Sequence, residues 1–238
     1  MSGDPASQTR SLTRSRGLGY RQRMAVSRWH SAVERPDGPP PQLNATTHRS
    51  RIALERVLAD PDDAEAYKAL AVAYDEMAGE WTEWAQTQPW YAAPVAVGMS
   101  HAAPVPWLLE VGCGTGQATA VLSGVGPSVI ATDVNASMLH GAPALARTFY
   151  VQADVRHLPF ATASVPLLVG LNGVPHVREF QRVVAPGGQI LWCTSFGEGT
   201  PLYVPPDRLA DMLGPRWTAE AGHAGHGDWL LATHTTAV

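Results

Sequence analysis

Three features of this 238-residue chain could do chemistry, and each lies where an apolar run ends. The first is Leu108-Leu109-Glu110-Val111-Gly112-Cys113-Gly114-Thr115-Gly116-Gln117. A backbone that must pass within contact distance of a ligand needs residues without side-chain bulk, which Gly112, Gly114 and Gly116 supply. Their spacing is Gly-x-Gly-x-Gly, not the Gly-x-Gly-x-x-Gly of dinucleotide binders. Glu110, two residues before the first glycine, places a carboxylate where a cationic ligand group gains from it. The second feature is Asp133, in Val129-Ile130-Ala131-Thr132-Asp133-Val134-Asn135. An acid at a strand end can accept both hydroxyls of a ribose in the crevice above the sheet. The other reading is a helix cap, a place for which Asn135 is better positioned. The third is Asp154, in Val151-Gln152-Ala153-Asp154-Val155, whose carboxylate can accept from an exocyclic amine.

These residues need elements to position them. From Trp107 onward, short apolar runs alternate with helix-length segments, the signature of a βα-wound parallel sheet. The strands are expected at Trp107–Val111, Ser128–Thr132, Phe149–Gln152, Leu167–Leu171 and Gln189–Thr194. A closing pair, Thr218–Ala221 and Trp229–His234, flanks a glycine-rich turn over residues 222–228 and makes the last strand antiparallel. Before the core, Ile52, Leu54, Val57 and Leu58 fit one helical stripe, broken at Asp60-Pro61. A second stripe follows through Ala66, Leu70, Ala73, Tyr74 and Met77, and then the aromatics Trp81, Trp84, Trp90 and Tyr91. Residues 1–48 show no apolar period and are rich in Ser, Arg, Pro and Gly, as an unstructured extension would be. An organelle leader, a misplaced start and a basic arm that touches a partner are the other readings of this segment. The expected organisation is therefore an extension over 1–48, a helical cap over 49–100 and a core over 101–238.

Composition narrows the function classes. With 45% hydrophobic residues the chain can bury a full core. No stretch approaches the roughly 20 apolar residues of a membrane span. Cys113 and Cys193 form neither a disulfide framework nor a zinc cluster, so a cytoplasmic setting is expected. The net charge of −4 hides an asymmetry: residues 1–51 hold nine arginines and three acids, which leaves about −10 on the remainder. An acidic body does not suit a nucleic-acid channel, which needs Lys and Arg for phosphates. Nucleic acid is not the expected partner.

The combination Glu-x-Gly-x-Gly-x-Gly, an Asp-bearing second strand, Ala153-Asp154 and Arg182-x-x-x-Pro186-Gly187-Gly188 resembles the class I methyltransferases that use S-adenosylmethionine (SAM). Within them it is most similar to the small-molecule branch typified by quinone-biosynthesis enzymes. The likeness covers roughly residues 70–238. It implies a Rossmann-like, doubly wound, seven-stranded sheet in the order 3-2-1-4-5-7-6, with an N-terminal helical cap. It also implies a SAM site made of Glu110, Gly112, Cys113, Gly114 and Gly116, with Asp133 at the ribose. Met138 and Asp154 would lie at the adenine, and Val134, Val155, Leu171 and Trp81 would complete the site. Arg182 and the Pro-Gly-Gly turn match a scaffold motif. Two features depart from the family pattern: Pro166 replaces the acid that usually opens the fourth strand, and the connection from Asn172 to Arg182 is short.

Methyl transfer is a displacement, so positioning and desolvation do much of the work, while a hydroxyl or ammonium acceptor also needs a base. His176, after the fourth strand, is the candidate base; a satisfied histidine is the other reading. Asn172 would orient the substrate or cap the strand. Trp81, Trp84, Trp90 and Tyr91 would form an aromatic lid, the core of the cap, or both. His223, His226 and Asp228 have metal-type residue identities, but a glycine-rich turn gives ligands no scaffold, so no metal is expected. The function expected is methylation of an O, N or C atom of a small molecule such as a secondary metabolite. The alternative is a SAM-binding protein that regulates or assembles without catalysing. Aminopropyl transfer or cyclisation would call for an acidic cluster near 170–180 that is absent, and RNA methylation would lean on the Arg-rich N-terminus.

Overall fold

Runs of Val, Leu and Ile buried on both faces are what a parallel sheet selects, because helices cover both of its sides. The structure, a computed structural model, describes residues 26–33, 37, 40–41, 43, 46–88 and 90–236. Its strands are β1 (Arg28–Val33), β2 (Trp107–Val111), β3 (Ser128–Asp133), β4 (Thr148–Gln152), β5 (Val165–Leu171), β6 (Val184–Thr194), β7 (Trp217–Ala224) and β8 (Gly227–His234). They form one sheet in the order β1-β7-β8-β6-β5-β2-β3-β4. The pairs are parallel except β6 with β8 and β7 with β8. Leaving out β1, this is the order the resemblance implied. The sheet reverses direction of growth between β3 and β5, on either side of β2. A crevice opens at such a switch point, beyond the carboxyl ends of the strands.

Seven strands were expected and eight are found among the described residues. The additional one, β1, lies inside the segment read as an extension and pairs in parallel with β7 at the sheet edge. Its sequence, Arg-Trp-His-Ser-Ala-Val, carries no apolar alternation because an edge strand has one side free of partners. The readings of residues 1–25 lie outside the described residues.

The α-helices among the described residues are α1 (Arg49–Ala59), α2 (Ala64–Gln86), α3 (Ala93–His101), α4 (Gln117–Gly124), α5 (Ala136–His140), α6 (Val177–Val183) and α7 (Pro206–Leu213). Asp60 ends α1, and Asp63 caps α2 by accepting from the Ala66 N–H. Alternation along β2 divides the core: Leu109 and Val111 pack with Phe180 and Leu209 on one face. Leu108 packs with Val95 and Leu122 on the other. Each such side chain contributes about 1.5–3 kcal/mol by leaving water. α1 packs on α2, buried residues of both join the cluster around Leu109 and Val111, and α3 lies against β6, β7 and β8. Among the described residues no helix is long and apolar enough to cross a membrane.

The departures noted in the sequence have local solutions. Pro166 is the second residue of β5, where the β5–β6 register shifts between Val165 and Leu167. Ala185-Pro186-Gly187-Gly188 bulges out of β6 there, so the N–H that proline lacks costs no ladder bond. The short connection holds the seven-residue α6. Arg182 binds Glu179 and donates to the carbonyls of Leu158 and Phe160, tying α6 to the loop after β4.

Candidate active site

At the carboxyl end of β2 the chain turns through Gly112 (φ 65°), Gly114 (φ 54°) and Gly116 (φ 89°) into α4. This left-handed backbone is open to glycine at little cost. A Cβ on Gly114 would meet nothing within 4 Å, and one on Gly112 only the Gly173 Cα at 4.0 Å. The bare backbone at these two positions borders a cavity of about 280 Å³. Gly116 differs: a Cβ there would lie 2.9 Å from Pro143 Cδ, so this glycine packs the loop against the segment after α5. It does not line the cavity.

The other walls come from neighbouring strand ends and from α2. Glu110, Gly112, Cys113 and Gly114 form the floor with Asp133, Val134 and Met138. Asp154 and Val155 follow β4, Leu171 ends β5 and Asn172 follows it. Trp81 closes the site from α2. All the sequence-derived candidates for the cofactor site except Gly116 thus meet at one cavity, and Asn172 joins them.

Glu110 is 1% exposed, and its Oε2 is buried without a hydrogen-bond partner. Burial pushes its carboxyl up to about 7, and the charge of Asp133 acts in the same direction. Asp133 accepts from the N–H of Gly114 and the N–H of Asn135, both at 2.9 Å. Burial raises its carboxyl, and those amide bonds pull it back. Each oxygen keeps acceptor capacity toward the cavity. Asn135 takes the helix N-cap position without a side-chain capping bond; its Nδ2 donates 3.0 Å to the Ala71 carbonyl of α2. Asp154 is gripped by Arg156, with Nη2 to Oδ2 at 2.6 Å. Burial works upward on Asp154, but the Arg156 guanidinium and N–H outweigh it and hold the carboxyl below its ordinary value.

Of the two candidate catalytic residues, one lines the cavity and the other lies behind its wall. Asn172 (φ 53°) donates to Tyr91 Oη at 2.9 Å and to Ser195 Oγ at 2.8 Å, and accepts from the Ser195 N–H. Both groups therefore lock its amide. His176 is 7% exposed at the start of α6 and does not line the cavity. Its Nδ1 is 2.8 Å from the hydroxyl of Tyr67, which does. Burial lowers the imidazole, and Arg178 adds to this, so the ring is held neutral.

Sequence reasoning missed the α2 stripe Ala64, Tyr67, Lys68, Ala71, together with Thr132, Trp192 and Leu202, all on the cavity wall. The helical spacing of the stripe was the available signal, but it pointed to core packing. Of the aromatics, Trp81 and Tyr91 line the cavity while Trp84 packs behind them, 5.1 Å from Trp81 and 5.8 Å from Phe196 between ring centroids. Trp90 lies against Gly225 of the hairpin. Burial raises Tyr91 to about 12. The hairpin turn is shorter than expected: only Gly225 and His226 lie between β7 and β8. His223 and Asp228 face one another across the strands in hydrogen-bond contact, and Tyr203 donates 3.1 Å to Asp228 Oδ2.

Residues 109–192 match the family model described as a methyltransferase domain. The chain is 30% identical over 148 residues to the malonyl-[acyl-carrier protein] O-methyltransferase of Yersinia pestis, which covers 59% of this chain and 51% of that protein. It is 37% identical over 97 residues to the demethylmenaquinone methyltransferase of Clavibacter sepedonicus, covering 36% and 40%. The chain thus spans about half the length of the curated relatives it matches. Among solved structures, the complex of DhpI with SAH superposes with a TM-score of 0.55 at 21% identity, covering 70% of this chain and 96% of that one. A Methanococcus maripaludis protein described as an S-adenosyl-L-methionine-dependent methyltransferase gives 0.56 at 17% identity, covering 69% and 94%.

Proposed function

We propose that the chain is a class I SAM-dependent methyltransferase that transfers a methyl group from SAM to an O, N or C atom of a small molecule, a reading supported by the methyltransferase-domain match over residues 109–192 and by the fold. The carrying observation is the buried Glu110 carboxyl, whose Oε2 has no hydrogen-bond partner, at a cavity whose floor is the bare backbone of Gly112 and Gly114. Those features fit SAM, which brings a cationic amino-acid head and needs close backbone approach. When bound, SAM supplies a methyl group activated by its sulfonium charge. In this reading Glu110 accepts from the ammonium group. Asp133 holds the ribose hydroxyls, and Asp154 with Val155 and Met138 frames the adenine. Trp81, Tyr91 and Leu171 exclude water from the reacting end.

The acceptor enters beside Asn172 and Tyr67 (both on the wall) and is oriented by Asn172, whose amide is fixed on its far side. His176 works behind Tyr67: kept neutral, it can accept the Tyr67 proton as that phenol takes one from the acceptor. Trp192 also lines the cavity, and its indole N–H is buried without an acceptor. Cys113 and Cys193 are free and buried, which suits a reducing cytoplasm.

The test is incubation with methyl-labelled SAM and a panel of phenols, carboxylates and amines. Label should pass to at least one class, and His176→Gln should lower kcat more than KM. If bound SAM labels nothing in the panel or in a metabolite extract, the non-catalytic reading replaces this one.

A further inference from the structure

On the sheet face covered by α3, three ligand-type side chains converge: His30 of β1, His101 of the last turn of α3 and Glu220 of β7. Strand register accounts for it. Arg28 stands opposite Glu220 and His30 opposite Gly222, so His30 and Glu220 project from the same face. Gly222 leaves room below them: a Cβ there would come within 2.7 Å of Trp229 Cζ2. Both imidazoles lie against that indole, His30 at 5.3 Å and His101 at 4.6 Å between centroids, and 4.3 Å from one another. His30 Nε2 is 2.8 Å from Glu220 Oε2, and His101 Nδ1 is 3.9 Å from Glu220 Oε1. One ligand atom from each residue lies within 4.8 Å of the other two. The side chains keep 18–28% exposure, so an ion can enter from solvent.

We propose that His30, His101 and Glu220 form a zinc site that clamps β1 and the end of α3 to the sheet, with a fourth position open to water. Two imidazoles and one carboxylate are a set Zn²⁺ accepts with one position free. Bonds of about 2.0–2.2 Å place tetrahedral ligand atoms about 3.4 Å apart, so side-chain rotations of about an ångström complete the geometry. The His30–Glu220 hydrogen bond holds two ligands in place without metal, and the ion takes the place of that bond. None of the three residues lines the methyltransferase cavity, so the site stands apart from the proposed reaction. It also differs from the hairpin pair His223 and Asp228, whose carboxylate is already shared with Tyr203.

The test uses the full chain, stripped with a chelator and titrated with zinc sulfate by calorimetry, with Co²⁺ as a spectroscopic probe. One ion per chain should bind. Co²⁺ should give the intense visible absorption of four-coordinate geometry, and zinc should raise the melting temperature. Glu220→Gln and His101→Ala, checked for fold by circular dichroism, should each weaken binding by at least about tenfold. His226→Ala should leave it unchanged. Absence of saturable binding, a weak six-coordinate Co²⁺ spectrum, or binding indifferent to both ligand variants would overturn the proposal. The wild-type spectrum decides it if a variant does not fold.

Discussion

Glu110 carries the tension of the site. A carboxyl that is 1% exposed and raised to about 7 by burial is neutral over much of the acid range in the folded chain, while the unfolded chain ionises it near pH 4.5. The folded value is the higher one, so its contribution to stability is full below about pH 4.5 and is lost as pH rises through about 7. Glu110→Gln should therefore flatten the fall in stability between about pH 5 and about pH 8, on the order of 3 kcal/mol. Urea denaturation of both proteins at the two pH values measures it; parallel curves would contradict it. Gly116 gives a second residue-scale expectation. With φ 89° and Pro143 Cδ 2.9 Å from any added Cβ, Gly116→Ala should cost about 1–3 kcal/mol without touching the cavity. A thermal melt checks the loss, and a changed ligand affinity at equal fold would show that Gly116 reaches the site after all. Glu110, Asp133 and Asp154 were legible because their place relative to apolar runs is a local property. Arg156, which neutralises Asp154 from two residues on, was equally local, and it went unread because no strand or turn signal marks it.

At the scale of elements, β2 was legible to the residue because a mostly buried strand reads as a near-continuous apolar run, which Glu110 alone interrupts. β1 was not, since its pairing with β7 is nearly two hundred residues away in sequence and an edge strand needs no apolar face. β6 begins at Val184 rather than Gln189 because the Pro-Gly-Gly turn is absorbed as a bulge opposite Pro166. The hairpin was misjudged at Gly222, which reads as a turn residue but lies in β7 to make room for Trp229. β5 uses a glycine in the same way: a Cβ on Gly170 would sit 2.3 Å from Trp192 Cζ3. Gly170→Ala should push that indole toward the cavity, lowering stability by about 1–3 kcal/mol through overpacking. For a chain of this size the melting temperature should drop by about 2–10 °C. A raised KM for the methyl acceptor should accompany it, and an unchanged melt with a normal KM would show that the wall yields freely.

For the whole molecule, the switch point between β3 and β5 brings the cofactor candidates to one crevice, whereas α2 supplies the opposite wall from a distant part of the chain. That division explains what the sequence alone conveys. The proposed cofactor side rests on short motifs at strand ends, while the proposed acceptor side exists only once Tyr67, Lys68, Asn172, Trp192 and Leu202 are assembled. A ligand that binds the folded chain alone stabilises it by mass action, so SAM at a hundredfold excess over its Kd should add about 2.7 kcal/mol. That corresponds to a rise of about 5–10 °C in Tm.

The most direct measurement is a calorimetric titration of the purified chain with SAM and with S-adenosylhomocysteine, set against Asp133→Ala. Asp133 holds the Gly114 and Asn135 N–H groups and faces the cavity, so removing it withdraws both loop support and ligand acceptors. The account predicts micromolar binding of both compounds to one site, weakened about tenfold to a hundredfold by the substitution. Folded protein that binds neither compound, or that binds them equally well without Asp133, would contradict it.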